Sequence, residues 1–268
     1  MKMNRCITEP CILCNSKNTV FIGLYVDDIL IVGEKNEVSN FRKDIMKRFS
    51  VTYEDNISEF LGCDINIDRD KKEVLITQSG VINSIKRYFG NEVKKMRKYS
   101  TPGEPNSHIV SPKNDDECLS KTQQNKYQSA VGSLMYLCKH SRPDLTNNVR
   151  DLSRCMKMDN RENYEALMRT VKYVLDTEDI GLKLGPIKGD IGEFNLECFS
   201  DSDWGGNEDN RKIISGWAIY VCGSLISWGS KAQQRVATSS SMAEYISISE
   251  ICKEIMFIRS SCEFWVLK

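Results

Sequence analysis

The chain has 268 residues, 40% of them hydrophobic and 28% charged, so it is a globular chain with material for one large or two ordinary domains. Its 37 basic and 37 acidic residues cancel, so any grip on nucleic acid has to come from local clusters rather than from an overall basic charge. No apolar run reaches the roughly 18 residues of a membrane span, and the first residues lead into Ile7-Thr-Glu-Pro10 rather than the apolar centre of a secretion signal.

Taken in order, Cys11–Asn15 and Thr19–Val26 read as two strands. The second continues an apolar run, Phe21-Ile-Gly-Leu-Tyr-Val-Asp-Asp-Ile-Leu-Ile-Val32, that stops at Gly33. Apolar residues at Val38, Phe41, Ile45 and Phe49 predict an amphipathic helix over 36–50. Strands follow at Glu59–Ile67 and Val74–Gln78. Ser79 is placed to cap a helix carrying Val81, Ile82, Ile85, Tyr88 and Phe89. Hairpin, helix, hairpin, helix predicts one antiparallel sheet covered by helices, an α+β layer.

Residues 99–126, with Pro102, Pro105 and Pro112, read as a linker. Helical periodicity returns in three blocks, around Tyr127–Cys138, Leu145–Met156 and Tyr164–Leu175, which predict a three-helix unit. Short strands are expected at Gly181–Leu184, Leu196–Ser200, Ile213–Val221, Leu225–Trp228 and Arg235–Thr238, with turns at Gly205-Gly206 and Gly223. A long helix from about Ser239 to Ser260 ends the readable structure.

Three groups of residues carry possible chemistry. Asp27 and Asp28 interrupt the apolar run of a hairpin; buried like charges are costly, and a divalent cation would remove the penalty. Solvated turn aspartates are the competing explanation. Asp201 ends a strand and Glu244 lies early in the last helix, a pair that two-metal hydrolysis can use. Ser241-x-x-Glu244 equally fits a capping box. Lys86, Arg87, Lys94, Lys95, Arg97 and Lys98 set six cations against Glu92, either a solvated helix face or a phosphate contact. The eleven cysteines are scattered through apolar patterns. Cys11-Ile-Leu-Cys14 has the spacing of half a zinc site, but no second pair follows and His108 and His140 are isolated, which reads as a reduced intracellular protein.

Together these stretches resemble the reverse transcriptase and ribonuclease H portion of copia-type LTR retrotransposon polyproteins. The resemblance runs through Leu24-Tyr-Val-Asp-Asp-Ile-Leu-Ile-Val-Gly33, Glu59-Phe-Leu-Gly62, Ile76-Thr-Gln78 and Tyr127-Gln-Ser-Ala-Val-Gly-Ser-Leu-Met-Tyr-Leu137. It continues in Ser141-Arg-Pro-Asp144, Leu152-Ser-Arg154, Ser200-Asp-Ser-Asp-Trp-Gly205, Arg211-Lys212, Ser215-Gly216, Ile226-Ser-Trp-Gly-Ser-Lys231, Ala237-Thr-Ser-Ser240 and Ala243-Glu-Tyr245.

It implies an α+β fold: the C-terminal part of a polymerase palm (1–98), a linker (99–126), a helical thumb-like segment (127–179) and a truncated ribonuclease H-like α/β domain (180–268). Asp27 and Asp28 would be the palm's paired metal-binding aspartates, and Asp201 and Glu244 the first two acidic residues of the nuclease, with Asp203 beside them. Both sites would use Mg²⁺ or Mn²⁺. Tyr25 and the basic segment 86–98 would face nucleic acid.

The implied partners are an RNA template, a DNA primer, an RNA–DNA hybrid and the remainder of the polyprotein, with no membrane. The implied setting is intracellular, in a cytoplasmic virus-like particle or the nucleus. The family also places a fingers subdomain and a third palm aspartate before the hairpin, and further nuclease carboxylates after the long helix. No aspartate precedes Tyr25, and Glu263 is in the wrong place for a later nuclease carboxylate. The expectation is a chain that neither polymerises nor cleaves by itself and that exposes uncovered sheet edges.

Overall fold

Alternating apolar residues build the first sheet of the computed structural model, which describes residues 2–104, 109, 112, 118–157, 159–186, 195–203 and 213–266. Pro105, His108, Trp204, Gly205, Gly206, Arg211 and Lys212 lie outside the described residues, as does the side chain of Glu263.

Two units are distinguished, residues 1–60 with 250–268, and residues 61–249. In the first, β1 (Met3–Arg5), β2 (Ile12–Asn15), β3 (Val20–Tyr25) and β4 (Asp28–Gly33) form an antiparallel sheet in that order. Val20 and Ile22 of β3 are buried. At the end of β4, a Cβ on Gly33 would come within 2.3 Å of the Thr19 carbonyl oxygen, so the close return of the strand requires glycine there. The helix α1 (Lys35–Met46) ends four residues before the predicted limit and buries none of its residues fully.

The hairpins do not join one sheet, as the sequence pattern suggests. A second sheet runs β5 (Glu59–Phe60), β6 (Cys63–Asp68), β7 (Glu73–Thr77) and β8 (Leu182–Leu184). The predicted strand Glu59–Ile67 is broken by a tight turn with positive φ at Leu61 (52°) and Gly62 (67°), the two central positions of a type I′ hairpin. Tyr136 donates a 2.8 Å hydrogen bond from its hydroxyl to the Leu61 carbonyl and so anchors the turn. The fourth strand of this sheet comes from far along the chain: β8 pairs with β7, and at its start Gly181 lies where a Cβ would sit 2.3 Å from the Ile76 carbonyl oxygen.

Helix α2 (Ser79–Val93) is capped differently from the prediction. The Ser79 side chain makes no cap; instead the Asp64 carboxylate accepts a 2.6 Å hydrogen bond from the Ser79 amide. Such a carboxylate at the first turn also meets the positive end of the helix dipole. Ile82, Ile85, Phe89 and Val93 of α2 enter one core with α3 (Lys121–His140), α4 (Thr146–Arg154) and α5 (Arg161–Asp176). The expected three-helix unit thus contains a fourth helix.

Ser141-Arg-Pro-Asp144 acts as a structural clasp in this core. Arg142 is wholly buried, with Nε 3.0 Å and Nη2 2.8 Å from the Asp144 carboxylate, and Nη1 donates to the Thr177 carbonyl at 3.0 Å. Tyr173 donates to the same carboxylate at 2.9 Å. Ser141 donates to the buried amide oxygen of Gln78 at 2.7 Å, tying the α3–α4 corner to the start of α2. The linker region is also partly pinned: Arg169 of α5 meets the Glu104 carboxylate at 2.6 Å and the Gly103 carbonyl at 3.1 Å.

A third sheet, in the order β11 (Ser224–Ala232), β10 (Ile214–Val221) and β9 (Leu196–Asp203), is an antiparallel meander. Its β10–β11 turn has positive φ at both Cys222 and Gly223. Residues 235–238 are not a strand; they lead to Ser239, whose hydroxyl accepts from the Met242 amide at 3.2 Å and caps α6 (Ser240–Val266). No helix of the described residues is long and apolar enough to cross a membrane.

Two predictions follow from the helical core. Replacing Arg142 with Ala strands Asp144 and the Thr177 carbonyl and should lower stability by about 3 kcal/mol in denaturant titrations. The exposed Arg161–Glu165 pair is the control, where Arg161→Ala should cost under about 0.5 kcal/mol. Asp159 has both carboxylate oxygens sealed from water, and burial, outweighing hydrogen bonding from its own backbone and from Gln124, pushes its carboxyl above the ordinary range. A raised folded-state value means its contribution is kept at low pH and lost as pH rises through that value. Asp159→Asn should therefore stabilise the protein near neutral pH, with the gain shrinking on acidification; a gain independent of pH would contradict this.

Candidate functional site

The first candidate site sits on the tip of the β3–β4 hairpin. Tyr25 and Asp28 face each other across the last rung of the ladder, leaving Val26 and Asp27 as a two-residue turn. Val26 alone of the two has positive φ, 51°, the pattern of a type II′ turn whose first central position ordinarily takes glycine. For a β-branched residue this conformation is strained.

Sequence pattern suggested carboxylates inside an apolar hairpin. The turn instead carries them to its tip: Asp27 and Asp28 are both exposed, as are Tyr25 at 57% and Val26 at 90%. The apolar run is a strand pair ended by a polar turn. Exposed adjacent carboxylates are hard oxygen donors of the kind Mg²⁺ and Mn²⁺ accept, and water and substrate phosphates can complete such a coordination shell. The strained turn fixes the direction in which both leave the backbone.

The second candidate pair lies in the unit formed by residues 61–249. Asp201 belongs to the exposed set Glu197, Phe199, Asp201 and Asp203 of β9, which alternate with half-buried neighbours. Phe199 meets the Tyr220 ring edge-on at 5.9 Å. Glu244 is half-buried in the first turns of α6. Helix and strand meet through Ser247, which donates to the Asp201 carbonyl at 2.9 Å.

Gln233, just after β11, also ties the helix to the sheet: its amide donates to Ser215 of β10 and to the Ala243 carbonyl of α6. Ser239, not Ser241, caps the helix, so Glu244 is displaced from the capping-box position that the sequence also allowed. Among the described residues no group of three or more metal-ligating side chains assembles.

The basic segment is on the surface of α2 and just beyond it. Lys86, Arg87, Lys94, Lys95, Arg97 and Lys98 are all exposed. Lys86 pairs with Glu178 at 3.1 Å, and Arg97 lies 5.3 Å from the Tyr99 ring centre. Glu92 points away to Lys126 and Tyr164, at 3.0 and 2.8 Å. Burial opposes the Glu92 charge, but these two hydrogen bonds prevail and hold its carboxyl below the ordinary value. Sequence reasoning placed Tyr88 on the apolar face of α2, whereas it stands beside Arg87 in solvent. Its i+3 spacing from Ile85 and i+7 spacing from Val81 gave no signal of this, since both place it at the edge of the apolar side.

Comparison with known proteins matches residues 1–102 to the reverse transcriptase (RNA-dependent DNA polymerase) family. The Pol polyprotein of transposon TNT 1-94 from Nicotiana tabacum is 30% identical over 261 residues, covering 94% of this chain and 19% of that protein. That of transposon RE1 from Arabidopsis thaliana is 32% identical over 255 residues, covering 94% and 16%. The chain therefore spans less than a fifth of the length of these two relatives. An uncharacterised mitochondrial protein of Arabidopsis thaliana is 27% identical over 243 residues, covering 90% of this chain and 95% of that protein. No solved structure matches the chain.

The turn geometry makes a direct prediction. Val26→Gly removes the side-chain clash at positive φ and should leave stability unchanged or raise it by up to about 1 kcal/mol, despite the flexibility glycine adds. Val26→Ile keeps the strain and should show no gain. A clear loss on Val26→Gly in thermal unfolding would contradict a strained turn.

Proposed function

The chain belongs to the reverse transcriptase family of copia-type Pol polyproteins, and from that premise we propose that it supplies part of an RNA-directed DNA polymerase's nucleotidyl-transfer site. The observation that carries the reading is the hairpin tip, where a strained two-residue turn presents Asp27 and Asp28 side by side to solvent.

Asp27 and Asp28 would hold Mg²⁺ or Mn²⁺. Held by these carboxylates, such a cation would supply charge that activates the primer's terminal oxygen and stabilises the departing pyrophosphate. The chain's own part is positional. The antiparallel ladder of β3 and β4 fixes the turn, the turn fixes the two carboxylates, and Tyr25, opposite Asp28, offers an exposed ring next to them. The basic segment 86–98 would contact the phosphates of the RNA template, the DNA primer or their hybrid.

In the same reading residues 180–268 belong to a ribonuclease H-like part, in which Asp201 and Glu244 contribute to hydrolysis of the RNA strand. Its support is the meander β9–β11 leading into α6, and the contact of Ser247 with the Asp201 backbone. On this reading each carboxylate pair is completed by ligands other than those brought together among the described residues, and the two pairs alone are expected neither to extend a primer nor to cleave a hybrid at a useful rate.

Manganese titration followed by amide NMR tests this. Paramagnetic broadening should begin at residues 24–29, and Asp27→Asn or Asp28→Asn should remove it there. Broadening that ignores both substitutions would refute the cation site. Primer extension by the pure chain, abolished by Asp27→Asn, would refute the need for further residues while supporting the site itself.

A further inference from the structure

We propose that the outward face of α2 is a stacking platform for unpaired nucleotides, with Tyr88 as the ring on which a base lies and Arg87, Lys94 and Lys95 as its phosphate contacts. The proposal rests on the reading of the basic segment as a nucleic-acid contact, and adds to it which form of nucleic acid is bound and by which aromatic residue.

The helical period is the first observation. Ile82, Ile85, Phe89 and Val93 are buried on one side of α2, so Ser84, Arg87 and Asn91 share the opposite side, with Tyr88 on the flank between them and the half-buried Val81, and Lys94 and Lys95 following just past the helix end. Tyr88 is 68% exposed, an uncommon position for a large aromatic residue on a helix that otherwise separates apolar from polar side chains cleanly. The Arg87 guanidinium carbon lies 4.9 Å from the centre of its ring, a cation–π contact that steadies the ring while leaving most of it in solvent.

Charge is the second observation. Glu92 is the one carboxylate within α2, and Lys126 and Tyr164 hold it away from this face. Glu178 is taken up by Lys86. Arg87, Lys94 and Lys95 therefore form a positive strip on which α2 itself places no opposing charge. At 1.5 Å per residue the strip from Arg87 to Lys95 is about 12 Å long, enough to follow several phosphates of a strand.

An exposed ring flanked by cations binds single strands in a sequence-tolerant way, since every base has a π-face and a flexible backbone can bring phosphates to the flanking charges. Paired bases hide those faces inside the stack. The occupant favoured here is thus an unpaired strand, such as template outside the hybrid, in preference to duplex.

Fluorescence anisotropy of the full chain with a labelled 20-nucleotide oligothymidylate and with a duplex of equal length, at low salt, tests the proposal. Tyr88→Ala should weaken single-strand binding by about 10-fold and leave duplex binding unchanged, while Tyr88→Phe keeps the affinity. The double substitution Lys94→Gln and Lys95→Gln should weaken both and make the salt dependence of single-strand binding shallower by about 1.4 in slope. Single-strand affinity unaltered by Tyr88→Ala, or an equal loss on duplex, overturns the platform and leaves the wider nucleic-acid reading standing. No binding to either probe at low salt overturns both.

Discussion

A guanidinium removed from water is tolerable only when its N–H groups find acceptors, and the helical part of this protein is organised around one that does. Arg142 is sealed at the corner between α3 and α4, gripped by Asp144, and reaches the Thr177 carbonyl and hydroxyl at the end of α5. Burial and the Asp144 carboxylate together push the Tyr173 phenol above its ordinary value, which keeps it a hydrogen-bond donor to that carboxylate. The neighbouring Ser141 extends the same corner to Gln78 at the head of α2. One buried charge thus fixes where α2, α3, α4 and α5 meet, and so which side of α2 is left for solvent.

The hairpin of β3 and β4 depends on a different constraint. A two-residue turn between right-twisted strands needs positive φ, and this chain meets the need with valine rather than glycine. A glycine there would relax the strain and add backbone freedom next to the two carboxylates. The close approach of Gly33 to the Thr19 carbonyl pins the other end of the same hairpin. Between those two points the ladder leaves little freedom for Asp27 and Asp28.

Much of this was legible in the residues. Period-3.6 patterns located α2 to α5, and the apolar run with Tyr-Val-Asp-Asp located the hairpin. The rest depended on contacts the pattern does not carry. The strand expected across Glu59–Ile67 folds back on itself because Leu61 accepts a left-handed conformation that Tyr136 holds from elsewhere in the chain. The second sheet takes its last strand from beyond α5, so local order could not show that the hairpins separate. Asp64 caps α2 from a neighbouring strand, where sequence reasoning looks only to the adjacent Ser79. The elements that carry Asp201 and Glu244 meet through the Asp201 carbonyl and the Ser247 hydroxyl, a contact that the pattern of the sequence does not carry.

We propose that the strained turn holds Asp27 and Asp28 as a divalent-cation site. Anomalous diffraction at the manganese edge, from crystals of the chain grown with Mn²⁺ and a nucleoside triphosphate, tests it most directly. An anomalous peak is expected within coordinating distance of both carboxylates, at about 2.2 Å from their oxygens. Manganese bound elsewhere, with both aspartates directed to solvent, would contradict it.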